Sequence, residues 1–355
     1  MKDIKILVIQ HGDTVEVLAS TVICQLIKKQ NHNAIVHMLV NSDMLPLLIN
    51  NPYIDEIIEF KKVYQQSAKF MKGFVKAIRE AKYKVVIDAS NHWQSGLISW
   101  KSKAPIRISF TKWYNRFFYT RRVPYTNNVK SDIPQLIQNR LTLLTTATNK
   151  KVNFEVPKIH LNENEMFEGR RLLDEHGLNG SKLIMIGLFD NNHSQSYPDS
   201  YMCKLIKFLT QFNNAMFLIN TMPGQKHQAI EFVSELPSHL QVKFNLKFNA
   251  VGIRQFLLVL NHCNAFIGNE GDASNMAKAL GVPTFGIVNP MEDIVSSGLF
   301  KSGPKNYSVH LEQFKPELYQ NKSHSHLKSQ MEMYFQQFTP DLILPKLAAF
   351  CNQHL

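Results

Sequence analysis

Short apolar runs alternate with longer amphipathic segments along most of this chain. Residues 4–9 predict a strand, the turn His11-Gly12-Asp13 follows, and 15–29 carries the apolar spacing of a helix. Strands at 34–40, 54–60 and 84–89 and helices at 43–50 and 67–81 continue the alternation. Residues 132–146 read as one more helix, and the polar stretch 148–161 as an interdomain linker. The pattern then restarts, with helices at 163–176, 201–212, 226–235 and 252–260 and strands at 182–187 and 215–220. Strands alternating with helices at this spacing argue for right-handed βαβ units and mostly parallel sheets. The expected class is α/β: two similar halves, 1–155 and 156–335, with a ligand cleft between them. A helix over 336–355 is a candidate to pack back on the first half.

The segment 266–290 is the most informative. Ala265-Phe266-Ile267 is an apolar run closed by Gly268, 269–272 is turn chemistry, and 273–280 is helix-forming sequence ended by Gly281 and Pro283. A second β-rich run follows at 284–288. A helix N-terminus at the carboxyl end of a parallel strand is where α/β proteins hold phosphates. The backbone N–H groups of Gly271, Asp272, Ala273 and Asn275 are the expected donors, and the Asn275 amide would add one more bond. Glu270 and Asp272 would accept from sugar hydroxyls, which points toward a nucleotide-sugar. The structural reading is that both acids are turn formers, with Asp272 capping a helix that begins at Ala273.

Composition narrows the function. The 355 residues suffice for two domains, and 44% hydrophobic with 19% charged residues is the balance of a soluble globular protein. No apolar stretch approaches a membrane span, and the N-terminus has no small-residue cleavage site. Cys24, Cys203, Cys263 and Cys351 form no CxxC pair and read as reduced thiols of a cytoplasmic protein. The histidines lack HxxH or HxxxH spacing, so no metal is expected. The net charge of +12 implies an anionic partner. Between Lys101 and Lys151 eleven basic residues, including Arg116, Arg121 and Arg122, face one acid, Asp132, with Trp113, Phe117 and other aromatics interleaved. That stretch reads as a solvated loop, as a nucleic-acid site, or as a surface for an anionic, membrane-attached acceptor. No RNP, KH or zinc-finger motif supports nucleic acid.

Three segments together resemble glycosyltransferase family 9, the lipopolysaccharide heptosyltransferases. They are IKILVIQHGDTVEVLASTVICQLIKK at the N-terminus, NNPYIDEIIEF at 50–60, and the segment 266–290. The resemblance implies the GT-B fold, two Rossmann-like domains facing a central cleft, with the acceptor bound mainly by the first and the nucleotide-sugar by the second. It implies inverting, metal-independent transfer with no cofactor. The donor would be a nucleotide-diphosphate-sugar, ADP-heptose being one candidate, and the acceptor a lipopolysaccharide-core-like glycolipid at the inner membrane surface. By position alone Asp13 is a helix N-cap; by resemblance it is the general base. Asp190, Asn191 and the following Asn192-His193 resemble the loop that faces the donor phosphates, alongside the ordinary reading of a βα connection. Gly12, His92 and Trp93 fall on the acceptor side, and so does the basic stretch with Arg116, Arg121 and Arg122, for which the resemblance favours the reading as an acceptor surface. Two positions depart from the family pattern: Asn275 stands where a histidine is usual, and Gln195, before Ser196-Tyr197-Pro198, where a lysine meets the pyrophosphate. A charge-assisted contact of about 1.5–3 kcal/mol is thereby lost. The alternative these departures raise is a degenerate, non-catalytic nucleotide- or glycan-binding member of the same fold.

Overall fold

The computed structural model describes residues 4–126, 133–189, 196–212, 214–219, 221, 224–248, 250–292, 298–320 and 329–355. The chain divides into two compact units between His160 and Leu161, inside the polar stretch 148–161.

The first unit holds strands β1 (Lys5–Gln10), β2 (Ile35–Asn41), β3 (Glu56–Phe60), β4 (Val85–Asp88), β5 (Ile106–Phe110) and β6 (Arg121–Val123). They form one parallel sheet in the order β3-β2-β1-β4-β5-β6. The helices are α1 (Thr14–Gln30), α2 (Leu45–Leu48), α3 (Lys62–Gln66), α4 (Ala68–Glu80), α5 (Trp93–Lys101) and α6 (Gln135–Thr148). Period-two alternation sends Leu7 and Ile9 of β1 toward Ile78 of α4 and Ile98 of α5, in a cluster with Leu39, Phe60 and Val86. The β1-α1-β2 crossover puts α1 on the other face, and α6, which follows β6, packs beside α1. Burying each such Leu or Ile side chain stabilises the fold by roughly 1.5–3 kcal/mol.

The second unit holds β7 (Lys182–Gly187), β8 (Ala215–Ile219), β9 (Ala265–Asn269), β10 (Thr284–Ile287) and β11 (Asn306–Val309), all parallel, in the order β11-β10-β9-β7-β8. Its helices include α7 (Glu163–Glu175), α8 (Asp199–Leu209), α9 (Lys226–Ser234), α10 (Ser238–Gln241), α11 (Gly252–Leu260) and α12 (Asp272–Leu280). The last helix, Pro340–His354, buries Ile343, Leu347, Phe350 and Cys351 in this unit's core, with Phe350 5.6 Å from Phe285. The apolar face that the sequence offered to the first half is thus buried within the second.

Each sheet reverses its winding once, between β1 and β4 in the first unit and between β7 and β9 in the second. Connections leaving the carboxyl ends of those paired strands diverge and open a crevice, the usual ligand position in open α/β sheets.

Candidate active site

At the first crevice the turn after β1 meets the loop after β4. The His11 N–H donates to Ser90 Oγ at 2.5 Å and fastens the two together. Asp13 is the N-cap of α1: its Oδ1 accepts from the Glu16 N–H at 3.0 Å, and the residue is exposed. The cap reading and the base reading are therefore compatible, because capping engages one carboxylate oxygen. Glu16 folds back beneath this turn, where its Oε2 accepts from Gln10 Nε2 at 2.8 Å. A Cβ at Gly12 would lie 1.7 Å from that same oxygen, so any other residue there would displace the Glu16 carboxylate from Gln10. Burial raises the Glu16 carboxyl above its ordinary value, against the pull of Arg140.

Sequence reasoning passed over the buried polar layer below. Asp88, at the end of β4, accepts from the Ser90 and Asn91 N–H groups at 3.0 Å each and from the Tyr119 hydroxyl at 2.5 Å. Burial still pushes its carboxyl up to about 6. Arg140 of α6 is buried, donates from Nε to Ser20 Oγ at 2.9 Å, and has no partner at Nη2 among the described residues. It places a fixed positive charge within electrostatic range of Glu16, Asp88 and Asp13. The only sequence signal for this layer was an acid ending the apolar run Val85-Val86-Ile87.

His11 lies flat on Phe60, ring centroids 4.4 Å apart, and burial followed by the charge of His92 lowers its pKa from 6.5 to about 3. Between those values the unfolded chain binds a proton that the folded chain does not. Stability therefore falls as pH drops through 6.5 toward 3. Asp88 acts with the opposite sign: its raised pKa gives stability that is lost as pH rises through about 6. His11→Phe, which can keep the stack on Phe60, is expected to recover on the order of 4 kcal/mol at the acid end and nothing at pH about 8. Urea unfolding of both proteins across pH reads the difference; parallel curves would rule the effect out.

The crevice of the second unit is bounded by the connection after β7 and by 270–272 after β9. Gly268, at φ 147°, passes so close to β7 that a Cβ would lie 2.3 Å from the Gly187 carbonyl oxygen. Asn269 donates from Nδ2 to the Gly187 and Leu188 carbonyls at 3.0 and 2.8 Å, and its Oδ1 accepts from the Tyr197 N–H at 2.7 Å. One side chain thus secures both ends of the connection. Asp190, Asn191, Asn192, His193 and Gln195 lie outside the described residues.

Here α12 begins at Asp272 with Gly271 as N-cap, one residue earlier than expected, so Asp272 is the first helical residue and not the cap. The Gly271 N–H donates to Ser274 Oγ at 2.9 Å, and the Asn275 N–H donates to the Gly271 carbonyl at 3.0 Å. Neither is available to a phosphate in this arrangement. The N–H groups of Ala273 and Ser274, in the first turn, are among those for which the helix offers no internal acceptor. The Asn275 amide is 2% exposed and donates from Nδ2 to the Gly271 carbonyl at 2.9 Å, bracing the turn from within.

Glu270 is also directed inward. Its carboxylate forms an ion pair with Lys278 Nζ, the side chains 7% and 4% exposed, and accepts from Ser308 Oγ at 3.2 Å. It lies over Gly286, where a Cβ would sit 1.8 Å from Oε2. The acid expected to face a sugar is therefore held by a buried cation that sequence reasoning missed. A lysine inside the apolar run Met276-Ala277-Lys278-Ala279-Leu280 was its signal.

The basic stretch is partly structural. Arg107 donates to the Phe118 and Ala104 carbonyls at 2.9 and 2.6 Å, and Lys112 to the Asn91 carbonyl at 2.9 Å. Arg121, expected to bind acceptor, donates to the Thr146 carbonyl at 2.6 Å and so satisfies the last turn of α6. Arg116 and Arg122 are exposed, as are Trp113 and Phe117 at 93% and 80%. His92 is the N-cap of α5, its N–H donating to Ser95 Oγ at 3.0 Å, and Trp93 beside it is 53% exposed. Among the described residues no three His, Cys, Asp or Glu side chains gather as a metal site requires.

Two doubly wound parallel units, each with an apical crevice, define an α/β protein of the GT-B class. The model of glycosyltransferase family 9 (heptosyltransferase) matches residues 71–315, and the chain belongs to that family. It is similar to the family 9 glycosyltransferase of Veillonella parvula, with a TM-score of 0.73 at 14% identity over 94% of this chain and 97% of that one. Escherichia coli heptosyltransferase WaaC with ADP superimposes with a TM-score of 0.71 at 12% identity over 98% of this chain and 100% of that one. In sequence, the chain is 22% identical over 138 residues to lipopolysaccharide heptosyltransferase 3 of Escherichia coli, 38% of this chain and 39% of that protein. The alignment thus spans about 39% of that relative's length.

Proposed function

We propose that this chain transfers a sugar, a heptose, from a nucleotide-diphosphate donor to a lipopolysaccharide-core-like glycolipid, with inversion and without a metal. The acceptor hydroxyl attacks the anomeric carbon while Asp13 takes its proton. The bond from that carbon to the diphosphate oxygen breaks, and the nucleoside diphosphate leaves with the electron pair. The first turn of α12 would stabilise that charge with the N–H groups of Ala273 and Ser274 and the positive end of its dipole, worth about 0.3–1 kcal/mol. The observation that carries the reading is Asp13 itself, an exposed carboxylate at the crevice of the first sheet, held by its own helix cap. ADP is favoured as the nucleotide because ADP and an ADP-heptose analogue are the ligands of solved Escherichia coli relatives.

The departures at Gln195 and Asn275 raise one other reading, a member that binds a nucleotide-sugar without turning it over. A thermal-shift panel of nucleotide-sugars followed by a turnover assay separates the two. ADP-heptose should raise the melting temperature more than UDP-sugars do and should be consumed once acceptor is added. Equal shifts for every nucleotide would remove the donor assignment.

A further inference from the structure

The face of the first unit formed by α3, α4 and α5 carries a groove of about 900 Å³ that the proposed chemistry does not use. Its floor is apolar, with Met71 and Val75 from α4 and Leu97 from α5, and the exposed Trp93 stands at its margin. Five cations rim it, Lys72, Lys76 and Arg79 along α4 and Lys101 and Lys103 at the far end of α5, and no acidic residue lines it. The helical spacing explains the arrangement, since residues 71 and 75 and residues 72, 76 and 79 form adjacent stripes of one helix. Lys76 meets Glu80 at 3.8 Å, but both are well exposed and the pair is weak.

The helix α4 packs Met71, Phe74 and Val75 half-buried against the core and leaves the outer edges of Met71 and Val75 in the groove. It buries only Ile78, while Phe70 is 52% exposed, and Trp100 beside the groove is 37% exposed with Lys101 and Lys103 over its ring at 4.4 and 5.4 Å. An apolar stripe edged by Lys and Arg, with tryptophans at its margin, is the composition of a helix lying in a bilayer interface. The cations of 107–125 serve this less well, because Arg107, Lys112 and Arg121 already donate to carbonyls.

We propose that the α3–α5 groove is where the chain docks on an anionic phospholipid bilayer, taking a lipid phosphate against its cationic rim and the upper part of a chain along its floor. The inference deepens the glycolipid-facing reading above and rests on it for the choice of a membrane as partner. One end of the groove is Trp93, itself a candidate acceptor residue next to His92, so the docking face begins at the acceptor side of the first unit.

Flotation of the full chain with phosphatidylcholine vesicles, with and without phosphatidylglycerol, tests the proposal. Binding should require phosphatidylglycerol and weaken with salt. The pairs Lys76→Ala/Arg79→Ala and Lys101→Ala/Lys103→Ala should each weaken it roughly tenfold or more, and Arg116→Ala/Arg122→Ala should leave it unchanged. Both groove pairs should transfer sugar to a water-soluble, chain-free acceptor at the wild-type rate. Equal binding to neutral vesicles, or sensitivity to the 116/122 pair in place of the groove pairs, would overturn the proposal. Vesicle binding is read without donor, so its outcome is independent of whether the wild-type chain transfers sugar.

Discussion

Asp13→Asn is expected to reduce sugar transfer by about 10²–10⁴-fold while donor affinity stays close to wild type. The substitution separates the two roles of this side chain. Asparagine keeps an Oδ1 that can accept from the Glu16 N–H, so the N-cap of α1 survives, and Asn and Asp are near equal as caps. What it loses is the ability to take a proton. Asp13→Ala removes cap and base together and should add a stability loss of roughly 0.5–2 kcal/mol to the same loss of rate. Steady-state rates and chemical denaturation of the two variants distinguish the contributions. If Asp13→Asn turned over normally while Asp13→Ala did not, Asp13 would be a cap alone.

Lys278→Met should be among the most destabilising single substitutions in the second unit, costing about 3–5 kcal/mol. It leaves the Glu270 carboxylate buried over Gly286 with the Ser308 hydroxyl and no cation. The double variant Glu270→Gln/Lys278→Met should recover most of that loss, because the penalty comes from an unpaired buried charge and not from absence of the pair. Urea denaturation of the single and double variants measures it. A single variant as stable as wild type would mean that Glu270 can turn to solvent, which would restore it as a sugar-facing acid.

The architecture was legible because the parallel strands are buried and read as apolar runs. The runs at 4–9, 34–40, 182–187 and 215–220 correspond to β1, β2, β7 and β8. The expectations missed β5, β6 and α5, which lie around the stretch read for its charge. Ile106-Arg107-Ile108-Ser109-Phe110 alternates apolar and polar residues, yet Ser109 is buried with Ile108 and Phe110, and Arg107 is spoken for by carbonyls. Arg121-Arg122-Val123 is short and charged because it is an edge strand. The candidate site was legible in its backbone and less so in its side chains. Gly12, Asp13 and the turn at 270–272 stand at sheet crevices, which the order of strands and helices dictates. The inward turn of Glu270 and Asn275 was not readable, because each depends on a partner brought in by folding: Lys278 and Ser308 for one, the Gly271 carbonyl for the other.

The most direct test is the mass of a heptose-deficient lipopolysaccharide core after incubation with the purified chain and ADP-heptose. Sugar transfer predicts a gain of a single heptose, released ADP in equal amount, and an anomeric configuration opposite to that of the donor. An acceptor of unchanged mass, with ADP-heptose bound but intact, would contradict the account and leave a binding protein in its place.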